Sequence, residues 1–393
     1  MTAVVTTPDG EHSEYAAAAR LPTGDSDHGQ GPGVRGCGVA TLTQRPVFDS
    51  VEQMLDPASL SQLLGTPIAS VDVSPLESNG FSANELSYVQ AGDHRLVLKR
   101  LSTDDVLARV SRDDRCRSLA VWRTGLLDRL EPQLRHGVVA GSRDGADNAL
   151  LMHDVSAGLY PGGRSLTLVD ARDRRTERIL AALASMHARF WGDDTLGVPS
   201  YELADVETLL TMVWPASWPM MESHPDLLGL VQRGWQALLD LLDPDVRATI
   251  EQVMADPGPL VDALAAEPAT LLHGDYRLDN LAVLPEDSVV AFDWQFAARG
   301  PGVFDLAWLG QSAGMREYRG WAFDCYRDAL VEALDGELDV PRWDRALAIA
   351  RLADLLRSGC FKAFFAVEGE EQAYNRRFIP EFNEVVRHGA DLL

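Results

Sequence analysis

Asp275, Asn280 and Asp293 place a carboxylate, an amide and a second carboxylate within one short stretch, LLHGDYRLDNLAVLPEDSVVAFDWQ. Phosphoryl transfer calls for such a set. It needs a base beside the acceptor hydroxyl and oxygen ligands that hold magnesium on a triphosphate, because the enzyme works mostly by positioning and charge neutralisation. On that reading Asp275 is the catalytic base. Asn280 and Asp293 bind Mg2+, which takes a few protein oxygens and completes its shell with phosphate and water. Taken singly, each reads as a turn or strand-end residue bonded to its own backbone; the combination points to chemistry.

The elements that must position these groups are legible nearby. The apolar run 270–272 reads as a short buried strand entering the loop. Leu281 and Val283, then Val289, Val290 and Phe292, form two apolar runs separated by Pro285, Glu286, Asp287 and Ser288, a four-residue hairpin signal. Asn280 opens the first strand and Asp293 closes the second, so the hairpin brings both side chains to one edge.

The pattern HGD-x4-N, followed at hairpin distance by an apolar-flanked Asp, resembles the aminoglycoside phosphotransferase and choline kinase-like superfamily. The longer string HGDYRLDN…FDWQFAARGP…DLAWL looks like its bacterial branch. The resemblance implies an α+β, two-lobed, protein-kinase-like fold, with a small lobe built on an antiparallel sheet and a larger, mainly helical lobe. It implies a magnesium-dependent kinase that moves the γ-phosphate of ATP, or GTP, to a hydroxyl of a small molecule. It also implies that His273 and Asp305 brace the catalytic loop, whereas by sequence Asp305 reads as a helix-start residue after Pro301 and Gly302.

A phosphate-anchoring lysine should then precede the motif. Three short strands are expected at 69–76, 84–90 and 95–100, and the third carries Lys99. Among 35 basic residues only Lys99 and Lys362 are lysines. A lysine in a chain whose default cation is arginine suits a task that guanidinium cannot perform, such as a compact ammonium reaching the phosphates. Two elements fit the family less well. The phosphate loop should lie at 77–84, which holds one glycine, Gly80. The helical Glu expected to pair with the lysine has no counterpart at 104–130, where Asp113 or Asp114 could substitute. The segment 149–155 reads as the hinge strand between lobes, with Met152, His153 and Val155 against the nucleotide base and His153 at the surface. Side chains there do not separate ATP from GTP.

Beyond the hinge, 170–191 shows apolar residues at helical spacing, with His187 packed on that face. A segment with Trp214, Trp218, Met212, Met220 and Met221 reads as core packing or as a surface for a sugar or acyl chain. Asp354, Glu368, Glu370 and Glu371 could meet acceptor amino groups, and Arg277 could touch phosphate or an anionic acceptor.

The expected division is a flexible extension at 1–45, a nucleotide-binding lobe at 46–155 and a catalytic and acceptor lobe at 156–393, with one helix at 47–64. The extension lacks a basic start and apolar stretch of a secretory type. No apolar run reaches the roughly 20 residues of a membrane span. Four dispersed cysteines, Cys37, Cys116, Cys325 and Cys360, suit a reducing cytoplasm. A net charge of −24 speaks against nucleic acid and anionic membranes as partners and could attract a cationic acceptor. The resemblance, together with this charge, implies first an antibiotic as acceptor, an aminoglycoside included. Amino-sugar, choline-like and hydroxyacyl acceptors are alternatives, as is a nucleotide-binding pseudokinase or scaffold. Oligomeric state is not legible.

Overall fold

Alternation along the strand that carries Lys99 builds the roof of the site. The computed structural model describes residues 44–76, 85–130, 132–145, 147–160, 172–311, 315–368 and 372–393. The expected phosphate loop with Gly80 and most of the expected N-terminal extension lie outside them, as do Glu370 and Glu371. Strands β1 (Val71–Leu76), β2 (Leu86–Ala91), β3 (His94–Ser102), β5 (Val138–Asp144) and β6 (Asp147–His153) form an antiparallel sheet in the order β1-β2-β3-β6-β5. Side chains alternate across a strand, so Leu96 and Leu98 of β3 turn to one face and Val97 and Lys99 to the other. The Leu96 face joins Val89, Leu151, Met54 and Leu60 in a small buried core.

That core is covered by α1 (Val51–Met54) and α2 (Pro57–Leu64). The single helix expected at 47–64 is therefore two. Asp56 accepts from the N–H groups of Ala58 and Ser59, and Pro57 takes the first helical position, so α2 starts afresh. Gln44 and Arg45 are held against the fold: the Arg45 N–H donates to the Arg123 carbonyl at 2.7 Å. Helices α3 (Val106–Val110) and α4 (Arg117–Arg123) occupy the segment searched for a helical Glu.

A second sheet, β4 (Leu134–Arg135), β10 (Val289–Ala291) and β9 (Leu281–Val283), contains the expected hairpin, with Val289 opposite Val283 and Ala291 opposite Leu281. A third joins β7 (Ala204–Asp205), β11 (Ala298–Pro301) and β8 (Ala269–Leu272). Around them pack α5 (Arg174–Arg189), α6 (Val206–Thr211), α7 (Pro225–Leu241), α8 (Pro244–Ala255), α9 (Gly258–Ala265), α10 (Val303–Leu309), α11 (Arg319–Ala333), α12 (Val340–Val367), α13 (Gln372–Arg376) and α14 (Ile379–Ala390). The architecture is α+β, a sheet-based part followed by a larger helical part. The helix expected at 170–191 begins at Arg174, where Asp173 caps the Thr176 N–H, and buries Ile179, Leu183, Met186 and His187. Trp214 is buried and donates to the Leu356 carbonyl, and Met212 and Met221 are buried with it, so most of that segment is core. Met220 is exposed. Among the described residues no helix is long and apolar enough to cross a membrane.

Candidate active site

Strand β8 delivers the chain into the loop His273 to Arg277, and backbone contacts fix that loop. Gly274 has φ of +77°, and a Cβ there would lie 1.9 Å from the Phe296 carbonyl oxygen, so only glycine fits. Asp305 lies inside the first turn of α10, not at its cap. Its fully buried carboxylate accepts from the N–H groups of His273 at 2.7 Å and Gly274 at 2.9 Å. His273 is also fully buried; Nδ1 accepts from the Asp275 N–H at 3.2 Å and Nε2 faces the Phe292 carbonyl at 3.1 Å. One accepting and one donating nitrogen define a neutral imidazole, and burial pushes the His273 pKa down. His187 packs in the core, with Nδ1 2.6 Å from the Tyr326 hydroxyl.

Within this frame Asp275 is completely buried and both carboxylate oxygens are engaged. Oδ1 accepts from Trp308 Nε1 at 2.8 Å, and Oδ2 accepts from Asn280 Nδ2 at 2.9 Å. The same Asn280 nitrogen donates to the Asp275 carbonyl at 2.8 Å, which aims Oδ1 of Asn280 elsewhere. That oxygen is buried and has no hydrogen-bond partner. Arg277 Nε is 3.4 Å from Asp275 Oδ1, and its Nη2 pairs with Asp279 at 3.0 Å.

The hairpin brings Asp293 to the same end as Asn280, since the Phe292 N–H donates to the Asn280 carbonyl at 3.1 Å. Asp293 sits in the left-handed region, φ 70° and ψ 61°, a conformation that non-glycine residues hold mainly where surrounding structure imposes it. Its Oδ1 lies 2.7 Å from Lys99 Nζ, with both side chains nearly buried. The carboxylate facing Lys99 is thus Asp293, and neither Asp113 nor Asp114. Asp113 instead accepts from the Arg117 N–H at 2.6 Å at the start of α4.

Lys99 and Asp293 line a cleft of about 740 Å3, its open side included, between the five-stranded sheet and β10. Met152, His153 and Val155 line it too, with apolar walls from Leu76, Val97 and Phe292. His153 is half-buried against this cleft rather than at the surface, and burial lowers its pKa. The His153 and Asp154 N–H groups are engaged by the carbonyls of Gly137 and Arg95.

The fold thus brings Lys99 to Asp293 and Asn280 to Asp275, the two pairs meeting at one end of the hairpin. A family model described as the phosphotransferase enzyme family matches residues 77–349. The chain belongs to this phosphotransferase family. Among solved structures it is similar to a spectinomycin phosphotransferase in complex with ADP and spectinomycin, at 13% identity over 86% of this chain and 98% of that one, TM-score 0.44. It is also similar to the macrolide 2'-phosphotransferase of Brachybacterium faecium, at 18% identity over 83% and 96%, TM-score 0.44. An aminoglycoside-3'-phosphotransferase of type VIII aligns at 19% identity over 76% and 98%, TM-score 0.42. No curated protein matches.

Two residues of this phosphotransferase escaped sequence reasoning. Trp308 lies in the DLAWL segment three positions after Asp305, a helical spacing that could have shown both facing the loop. Arg357, whose Nη2 donates to the Gly274 carbonyl at 2.5 Å, lies 83 residues away in sequence and carries no local signal. Of the acidic residues considered for an acceptor, Asp354 is buried and 3.3 Å from Lys362, and Glu368 pairs with Arg233 at 3.1 Å.

Proposed function

We propose that this phosphotransferase is a magnesium-dependent kinase that transfers the γ-phosphate of ATP or GTP to a hydroxyl of a small acceptor. The observation that carries the reading is the buried, unpartnered Oδ1 of Asn280, held beside Asp275 by the other atoms of its own amide. A hard cation is a suitable partner for such an oxygen, with Asp293 as the second protein ligand. Magnesium bound there would neutralise charge on the β- and γ-phosphates.

Lys99, exchanging its contact with Asp293 for phosphate oxygens, would hold the triphosphate. The apolar cleft would take the base, with Val155 the hinge position not already drawn into the Gly137 and Arg95 contacts. Residues 46–155 would then be the nucleotide lobe and 156–393 the catalytic and acceptor lobe. Asp275 accepts the proton of the acceptor hydroxyl as its oxygen bonds to the γ-phosphorus and the bond to the β-phosphate oxygen breaks. Its two donors, Trp308 and Asn280, favour the ionised form that this step requires.

An antibiotic hydroxyl is the first acceptor to test, aminoglycosides included. The guanidinium of Arg277 beside Asp275, together with the Lys362 ion pair of Asp354, favours a second reading, a metabolic acceptor such as a hydroxyacyl compound with an anionic group. Amino-sugar and choline-like acceptors belong in the same panel. Transfer of γ-labelled phosphate from ATP and GTP to that panel tests the function, with Asp275→Asn as control. Labelled product that falls at least about 100-fold in the control is expected. Undiminished transfer by Asp275→Asn would remove the base assignment, and magnesium-nucleotide binding without transfer to any acceptor would favour a pseudokinase.

A further inference from the structure

Helix α10 reaches the Asp275 loop through Asp305 and Trp308, and α12 reaches it through Arg357. The indole N–H of Trp308 donates to Asp275 Oδ1 at 2.8 Å. Arg357 is 5% exposed, and its guanidinium carbon lies 4.1 Å from the Trp308 ring centroid and 5.4 Å from that of Phe304. The same guanidinium donates through Nη2 to the carbonyl of Gly274, the residue before Asp275. Its Nη1 is buried without a hydrogen-bond partner, and the carboxylates of Asp275, Asp354 and Asp305 act on its charge from nearby. Burying a charge is costly, and nearby opposite charges offset only part of that cost. Stacking on an indole offsets part of that cost, and a planar fork can stack and donate at once where an ammonium cannot.

We propose that Trp308 and Arg357 form a positioning pair that fixes the plane of the Asp275 carboxylate for proton acceptance. The inference rests on the base reading of Asp275 given above. Two donors on opposite oxygens, Trp308 on Oδ1 and Asn280 on Oδ2, set the carboxylate plane. Arg357 fixes the indole by stacking on it, and fixes the loop by holding the Gly274 carbonyl. The orientation of the base therefore depends on α12, a helix remote from the HGD motif in sequence.

Trp308→Phe keeps an aromatic ring for Arg357 to cover but loses the N–H along with part of the indole, whereas Trp308→His keeps an N–H donor on a smaller ring. Arg357→Lys keeps the charge and loses the planar fork. Each variant is assayed for transfer to the acceptor found with the panel, or for magnesium-dependent ATP hydrolysis with water as acceptor, together with nucleotide affinity and melting temperature. A misplaced base costs about 10²-fold. Trp308→Phe and Arg357→Lys are expected to lose kcat on that scale with nucleotide Kd unchanged, and Trp308→His to recover part of the loss. Wild-type kcat in both Trp308→Phe and Arg357→Lys would overturn the pair. So would a loss matched by weaker nucleotide binding and a lower melting temperature, which marks packing alone. If Asp275→Asn is inactive while Trp308→Phe is fully active, only the positioning pair fails; if Asp275→Asn is active, or the wild type neither transfers nor hydrolyses, the base reading fails and takes the pair with it.

Discussion

Asp293 has two partners to satisfy, and they compete. In the structure its Oδ1 faces Lys99 at 2.7 Å; on the proposed reading it also holds magnesium, while Lys99 turns to phosphate. In kinases of this fold type a helical Glu ordinarily holds the lysine. With no Glu at 104–130, the proposed reading has removal of Asp293 take away a magnesium ligand together with the carboxylate that faces Lys99 in the structure. Asp293→Ala is expected to weaken magnesium-ATP binding by at least tenfold, or about 1.4 kcal/mol, as read by calorimetric titration. Unchanged affinity would take Asp293 out of the site. Asp275→Asn should instead spare that affinity, because the groups at its carboxylate, Trp308, Asn280 and Arg277, do not line the cleft that holds Lys99 and Asp293.

At the scale of elements, the loop between β8 and the hairpin is held by buried polar contacts rather than by regular structure. The Asp305 carboxylate takes two of its N–H groups, and His273 spans from the Asp275 N–H to the Phe292 carbonyl. Burial is the largest influence on His273 and lowers its pKa in the fold. A histidine kept neutral when folded binds its proton more readily when unfolded. Its contribution to stability is therefore intact above the unfolded pKa of about 6.5 and is lost as pH falls through and below that value, at up to about 1.4 kcal/mol per pH unit. Urea unfolding at pH 7.5 and pH 5.5 should show a drop in the wild type that is smaller in His273→Gln. An equal drop in both would assign the acid sensitivity to other groups.

Across the whole molecule, 59 acidic residues against 35 basic ones give a formal charge of −24, and self-repulsion opposes compaction. Raising salt from about 0.01 to about 0.15 M shortens the screening length from about 30 to about 8 Å, so the melting temperature is expected to rise over that range. A flat or falling trend in calorimetric scans would show that local ion pairs such as Arg387 with Asp243 and Asp245 outweigh the net charge. The sequence by itself determined the strands around Lys99, the hairpin between Asn280 and Asp293 and the HGD loop. These depend on short-range facts: side-chain alternation and turn residues. It did not determine where the helix at 47–64 breaks, although Asp56 and Pro57 were there to be read. Only the tertiary structure decided that Lys99 faces Asp293 rather than Asp113 or Asp114, that Asp354 is spent on Lys362, and that Trp308 and Arg357 close on Asp275. Those outcomes depend on which buried charges finish within a few ångströms of each other, and packing of distant segments sets that distance, which no local pattern encodes.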